Sequence, residues 1–212
     1  MRWGGGAITA LLLAPVVAAA QAPRFEVGGI SVALRVRSAI GPAREALSGA
    51  LLGGEGRVNV WRVVVDVGYA QGSVSPDSAG PVSRDVVEGR LLVGNRPWRG
   101  LTLKMGPHAR AYLTNSGTQR WFFWEARLHG ERPIVSPTVR AYAEIWRALS
   151  GSVNVLESFD HGQGGEAGML VNLPGKPVWG RLAYGIERAR LGGGSRLETV
   201  EGLTLAVGYA WR

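Results

Sequence analysis

Along most of the chain, apolar and polar residues alternate with period two. In 101–113, Leu101, Leu103, Met105, Pro107, Ala109, Ala111 and Leu113 fall on one parity. Thr102, Lys104, Gly106, His108, Arg110 and Tyr112 fall on the other. Successive side chains of a strand point to opposite faces, so this spacing predicts one long strand with an apolar and a polar face. A helix would gather Leu101, Lys104 and His108 onto one stripe. Pro107 cannot donate a ladder hydrogen bond and predicts a local bulge. The alternation recurs around Trp61–Tyr69, Phe122–His129, Pro137–Trp146, Val178–Glu187 and Leu203–Trp211. In 30–37, Ile30, Val32, Leu34 and Val36 oppose Ser31, Ala33, Arg35 and Arg37.

Segments rich in Gly, Pro, Ser and Asn separate these runs. The pattern predicts strands at 25–38, 57–71, 84–94, 99–113, 119–130, 137–149, 163–173, 178–190 and 201–212. A short further strand fits between 39 and 56, where Ala46, Ser48 and Ala50 alternate with Leu47, Gly49 and Leu51; Gly53 to Gly56 would be its turn. No convincing helix remains. The expected fold class is all-β.

Alternation alone fits a soluble or a membrane barrel, and three features favour the membrane. The apolar faces carry almost no charge along their length. The polar faces carry both signs and many small residues, as a polar interior requires. The strands reach the ~9–11 residues of a tilted span. Single-chain bacterial barrels use even strand numbers, with short periplasmic turns and longer outer loops. Ten strands put 94–98, 130–136 and 173–178 at the periplasm and 71–83, 149–162 and 190–200 outside. The prediction is a closed antiparallel up-and-down transmembrane β-barrel of ten strands, with eight as the alternative. Trp61, Trp98, Trp179, Tyr209 and Trp211 then fall toward the periplasmic edge, and Tyr69, Trp121 and Phe122 near the outer edge. That is the aromatic girdle expected at the two interfaces. The competing reading is a soluble secreted or periplasmic lipocalin-like barrel that binds a small apolar ligand. It would turn Leu101, Leu103 and Leu113 inward and expose Lys104 and Arg110.

Composition adds location. Residues 1–22 carry Arg2, an apolar run to Val17 and small residues around Ala20 and Ala22, which predicts a cleaved secretory leader and leaves 23–212 as the barrel. The 212 residues contain no cysteine, so disulfides, cysteine-ligated zinc and a cysteine nucleophile are excluded. The formal net charge is +8. The arginines are spread over polar strand faces and not interleaved with aromatics on one surface, which argues against nucleic acid.

With its leader, alternating strands and terminal Leu203–Arg212 strand, the chain resembles the small outer-membrane β-barrel proteins of bacteria. The resemblance implies a last strand read by the barrel assembly machinery, which usually ends in an aromatic residue; here Arg212 follows Trp211. It implies outer-membrane lipid and lipopolysaccharide as neighbours and the outer membrane of a Gram-negative-type bacterium as location. Rim arginines Arg120, Arg147, Arg188 and Arg190 would meet lipopolysaccharide phosphates.

The barrel reading directs Arg35, Arg37, Arg62, Asp66, Glu88, Arg90, Lys104, His108, Arg110, Glu125, Arg127, His129, Arg140, Glu144, Glu166, Arg181 and Glu187 inward. Mixed signs imply cross-strand ion pairs, because an unpaired buried charge costs several kcal/mol. Such pairs would stabilise or plug the lumen, or line a narrow pore for small solutes. Some barrels of this size are proteases with Asp and His at the outer rim, or lipid-modifying enzymes with a Ser/His pair. Here Asp160 and His161 stand alone in one loop, and no catalytic constellation, metal spacing or phosphate loop is present. No enzyme activity and no cofactor are expected.

Overall fold

The computed structural model describes residues 22–77, 82–115 and 117–212. The expected leader, apart from Ala22, lies outside them. Ten strands follow in order: β1 (Arg24–Ile40), β2 (Ala43–Val60), β3 (Val63–Pro76), β4 (Arg84–Trp98), β5 (Leu101–Thr114), β6 (Gly117–Ser136), β7 (Val139–Val153), β8 (Phe159–Asn172), β9 (Val178–Leu191) and β10 (Arg196–Trp211). Each pairs antiparallel with its sequence neighbours, and β1 pairs β10 from Phe25 opposite Trp211 to Ile40 opposite Arg196. The sheet therefore closes with no free edge, the condition a sheet must meet to sit in hydrocarbon. The eight-strand alternative fails, because β1 is a full member of the ladder on both sides.

The strand count matches the alternation, but one turn does not. Gly53 to Gly56 is not a turn; β2 runs through it, and the reversal falls at Trp61 and Arg62. The predicted 57–71 strand is thus divided between β2 and β3. Trp61 adopts φ 53° there, a left-handed conformation that non-glycine residues rarely take. Pro107 makes no bulge either. Arg90 faces His108 and Val93 faces Met105, the same register on both sides of it. The slip in that pair lies between Asn95 and Trp98, where Pro97 stands. The strands also run longer than predicted, so 130–136 belongs largely to β6 and the outer connections shrink to 77–83, 154–158 and 192–195.

Large apolar side chains cover the outside. Val67, Leu91, Leu103, Met105, Leu128, Ile145, Leu182, Leu203 and Leu205 are all exposed. A continuous apolar wall of this kind is untenable in water and required in lipid. It overturns the lipocalin-like alternative: Leu103 is 55% exposed on the outer wall, whereas Lys104 is 4% exposed inside. Trp61, Trp98, Tyr209 and Trp211 are exposed at the end where β1 begins and β10 ends, the periplasmic rim of such barrels. Tyr69 is the last apolar outward residue of β3 before Gln71 and Ser73, and its hydroxyl hydrogen-bonds to Gln71 at 2.8 Å. Phe122 faces outward near the other rim. Trp121 and Trp179 are corrections to the girdle: they are 2% and 7% exposed and face the lumen.

Candidate functional site

Three layers fill the lumen. The outer layer is an apolar core. Leu34 and Val36 of β1, Leu47 and Leu51 of β2, Val74 of β3, Val86 of β4, Tyr112 of β5, Trp121 and Phe123 of β6, Ala189 and Leu191 of β9 and Val200 of β10 meet there. This layer explains why the parity rule inverts on β1. Arg35 and Arg37, expected inside, point outward, because Ile30, Val32, Leu34 and Val36 fill the lumen. Arg62, also expected inside, is exposed in the β2–β3 turn, its guanidinium 5.1 Å from the Trp61 ring centre.

The middle layer is a chain of alternating charge. Arg110 donates to Glu187 at 2.8 Å and to Glu88 at 2.9 Å. His108 lies between Glu88 at 3.2 Å and Glu125 at 3.4 Å. Arg127 donates to Glu125 at 2.6 Å and to Glu144 at 2.9 Å, and stacks on the Trp146 ring at 4.4 Å. Lys104 bridges Glu144 at 2.6 Å and Asp66 at 2.9 Å. Arg57 closes the series with a fork on Asp66 at 2.6 and 3.0 Å. His129 stands 3.2 Å from Glu144.

Several contacts tie distant walls together. Arg110 on β5 reaches Glu187 on β9; the Tyr112 hydroxyl on β5 donates to Glu198 on β10 at 2.9 Å. Arg181 on β9 reaches Glu55 on β2 at 2.6 Å and Glu166 on β8 at 3.0 Å. Between this layer and the apolar core lies a small cavity of 120 Å³.

The third layer is a vestibule of about 460 Å³ that opens at the rim where β1 begins and β10 ends. Arg57, Lys104, Glu144 and Arg181 form its floor, and Arg90, Arg96, Arg140, Glu131 and Trp179 its walls. Arg140 donates to Glu131 at 2.9 Å, Arg96 to the Asn59 amide oxygen at 3.2 Å, and Arg90 lies 3.8 Å from Glu55. Trp179 rests in a notch made by Gly28 and Gly208, where a Cβ would overlap its indole. Among the described residues, the buried Trp179 Nε1 and Arg140 Nε have no hydrogen-bond acceptor.

The structure thus gathers Asp66, Glu88, Lys104, His108, Arg110, Glu125, Arg127, His129, Glu144 and Glu187 into one network, places Glu166 and Arg181 in a second cluster with Glu55 and Arg90, and leaves out Arg35, Arg37 and Arg62. It adds Glu55, Arg57, Tyr142 and Glu198, which sequence reasoning missed. Glu55 and Arg57 share the parity of Leu47 and Leu51, a signal hidden by reading the glycines between them as a turn. With those three arginines outside and Glu55, Arg57 and Glu198 inside, positive and negative groups of the lumen nearly balance. His161 shares the outward face with its cross-strand neighbour Arg190, away from the lumen histidines. Among the described residues, no group of three or more His, Cys, Asp or Glu side chains is placed to hold a metal.

A closed ten-stranded barrel with an apolar wall, a polar network inside and aromatic rims is an outer-membrane β-barrel. One solved structure supports that fold. The outer membrane protease OmpT from Escherichia coli is similar over 89% of this chain and 96% of its own, with a TM-score of 0.53 and 9% identity. The translocator domain of the autotransporter NalP from Neisseria meningitidis matches over 87% and 88%, with a TM-score of 0.47 and 14% identity. Neisserial surface protein A matches over 87% and 96%, with a TM-score of 0.45 and 13% identity. No protein-family model and no curated protein matches the chain. At 9% identity the likeness to OmpT speaks for the fold alone.

Proposed function

We propose that the protein is a non-conducting outer-membrane barrel whose work is binding, through the vestibule that opens to the periplasm. The observation that carries this reading is the double seal above the vestibule. An ion path would have to break the cross-lumen pairs and then pass through a layer packed mainly with apolar side chains, whose polar groups Tyr112, Glu198, Arg196 and Gln119 are bonded to one another. Vestibule chemistry supports a ligand rich in hydrogen-bond acceptors. Arg96 makes no ion pair among the described residues, Arg90 is held only by Glu55 at 3.8 Å, and the buried indole N–H of Trp179 has no acceptor there. Arginine forks suit carboxylates and phosphates. The bland alternative, a purely structural barrel, predicts no ligand at all. Export would proceed with removal of the leader, so the intact mass of the membrane form is expected to correspond to a start shortly after Ala20 or Ala22.

Two measurements test the reading. In planar bilayers the folded barrel is expected to give no conductance steps above leak; discrete stable channels would reject closure. Citrate serves as the probe for the vestibule. It is expected to change the fluorescence of the native barrel saturably, with the response lost in Trp179→Phe and weakened in Arg96→Gln. A flat titration with a closed barrel leaves the structural role standing and rejects the binding role.

A further inference from the structure

The outer wall carries an unusual set of arginines. Arg147 on β7 is opposite Gln163 on β8; Gln163 is opposite Arg188 on β9; Arg188 is opposite Thr199 on β10; and Thr199 is opposite Arg37 on β1. Cross-strand partners share a face, so these five side chains form one polar row around half of the barrel. Neighbouring strands lie ~4.8 Å apart, which spaces the row's arginine backbones by roughly 10 Å. Arg190 stands two residues above Arg188, and Arg35 two below Arg37, on the same wall. Below the row the wall is apolar on β7 and β9, with Ile145, Ile186 and Tyr184; on β10 and β1 Glu201 and Arg35 come first, and Leu203 and Ala33 follow. On β7 to β9 the row therefore marks the outer edge of the hydrocarbon-facing band.

Partners for these cations are scarce. Arg37 is held by Glu201, and Arg35 reaches Asp77 at 3.1 Å. Arg147, Arg188 and Arg190 are exposed and make no ion pair among the described residues. Asp160, at the irregularity that opens β8, makes no ion pair among the described residues. A lipid-facing arginine is destabilising by an amount that grows with depth, and approaches zero only near the head groups. Three unpaired arginines at one level call for an anion supplied by the membrane. Arginine is suited to phosphate, through a planar fork that donates two parallel bonds.

We propose that the Arg147, Arg188 and Arg190 wall is a binding site for the phosphorylated glycolipid of the outer leaflet, with Gln163 and Thr199 between the cations and the acyl chains against Ile186 and Leu203. This site is on the opposite surface of the sheet from the vestibule and is independent of it. Arg120, at the outer end of β6, lies off the row.

The test uses the folded barrel in detergent, incubated with lipopolysaccharide, with chemically dephosphorylated lipopolysaccharide and with phosphatidylglycerol micelles. Copurifying lipid is quantified after size exclusion. The native barrel is expected to retain lipopolysaccharide in preference to the other two. The variant Arg147→Ser/Arg188→Ser/Arg190→Ser is expected to retain it roughly ten-fold less or weaker, since hydrogen bonds to charged groups are among the stronger ones. Arg62→Ser/Arg99→Ser/Arg132→Ser removes the same charge at the periplasmic rim and is expected to bind like the native barrel. Equal retention by the two triple variants overturns the proposal. So does equal retention of the dephosphorylated lipid or of phosphatidylglycerol by the native barrel. Folding of each variant is read from heat-modifiable gel mobility; if the triple variant fails to fold, Arg188→Gln alone is expected to lower retention, and an unchanged value overturns the site.

Discussion

Gly53→Ala is expected to abolish the folded, heat-modifiable form of the barrel, whereas Gly130→Ala leaves it intact. A Cβ on Gly53 of β2 would overlap the backbone carbonyl of Tyr69 on β3. The same holds for Gly49 against Ser73 and for Gly72 against Ala50 on this strand pair, and for Gly94 and Gly106 against Leu103 and Leu91 on β4 and β5. All five glycines face the lumen at two corners where the sheet turns sharply. The obstacle is the neighbouring backbone, which moves only by opening the ladder. The penalty should therefore exceed the ~1–3 kcal/mol typical of an overpacked side chain. Gly130 of β6 has nothing within 4 Å of its Cβ position, so alanine there is expected to gain up to about 1 kcal/mol from reduced backbone freedom. The comparison is read by gel mobility with and without boiling, after refolding both variants into vesicles. A fully heat-modifiable Gly53→Ala would show that β2 and β3 do not approach as closely as the structure places them.

This corner also explains a composition that the alternation could not. The 32 glycines of the chain fit both inner strand faces and turns in sequence, and the pattern does not say which glycine does which. Gly53, Gly54 and Gly56 read as a turn, and there the reading failed, because a glycine run inside a strand can mark curvature as well as a turn. The ten-strand count and the membrane-facing parity of β5 were legible because Leu101–Leu113 alternates without interruption and its apolar face is uncharged. The lumen was legible only in its middle layer, where charge identifies the inward face. Toward the outer rim the lumen is itself apolar, so hydrophobicity no longer distinguishes inside from outside. That is why Arg35 and Arg37 were assigned to the wrong face. Trp121 and Trp179 failed for a different reason. Each shares parity with charged lumen residues, Trp121 with Glu125 and Arg127, and Trp179 with Arg181. Their inward direction was therefore present in the pattern, but the expectation of a tryptophan girdle outweighed it. Cross-lumen partners such as Arg110 with Glu187 were out of reach, because alternation reports the face of a residue and not its height.

That pair gives the second large effect. Arg110→Met is expected to destabilise the barrel by about 3–5 kcal/mol, the usual result of stranding a buried charge. Glu187 is 9% exposed, and Arg110 is its ion-pair partner among the described residues. Glu88 keeps His108 after the substitution, so the loss is concentrated on Glu187. The double variant Arg110→Met/Glu187→Gln removes the stranded charge as well and is expected to recover most of the stability. Arg110→Lys should fall between, since one ammonium cannot fork to Glu88 and Glu187 from two sides as the guanidinium does. Arg35→Met serves as the reference: its pair with Asp77 is exposed, and such pairs contribute about 0–1 kcal/mol. Urea unfolding in vesicles, followed by tryptophan fluorescence, supplies the four values. If Arg110→Met lies within about 1 kcal/mol of Arg35→Met, the charge chain does not tie the barrel walls together. If instead the single variant is severe and the double is mild, the network acts as a brace whose members must be kept or removed together. The pairs that hold the barrel's cross-section are then the same pairs that cross the lumen in the proposed closed state.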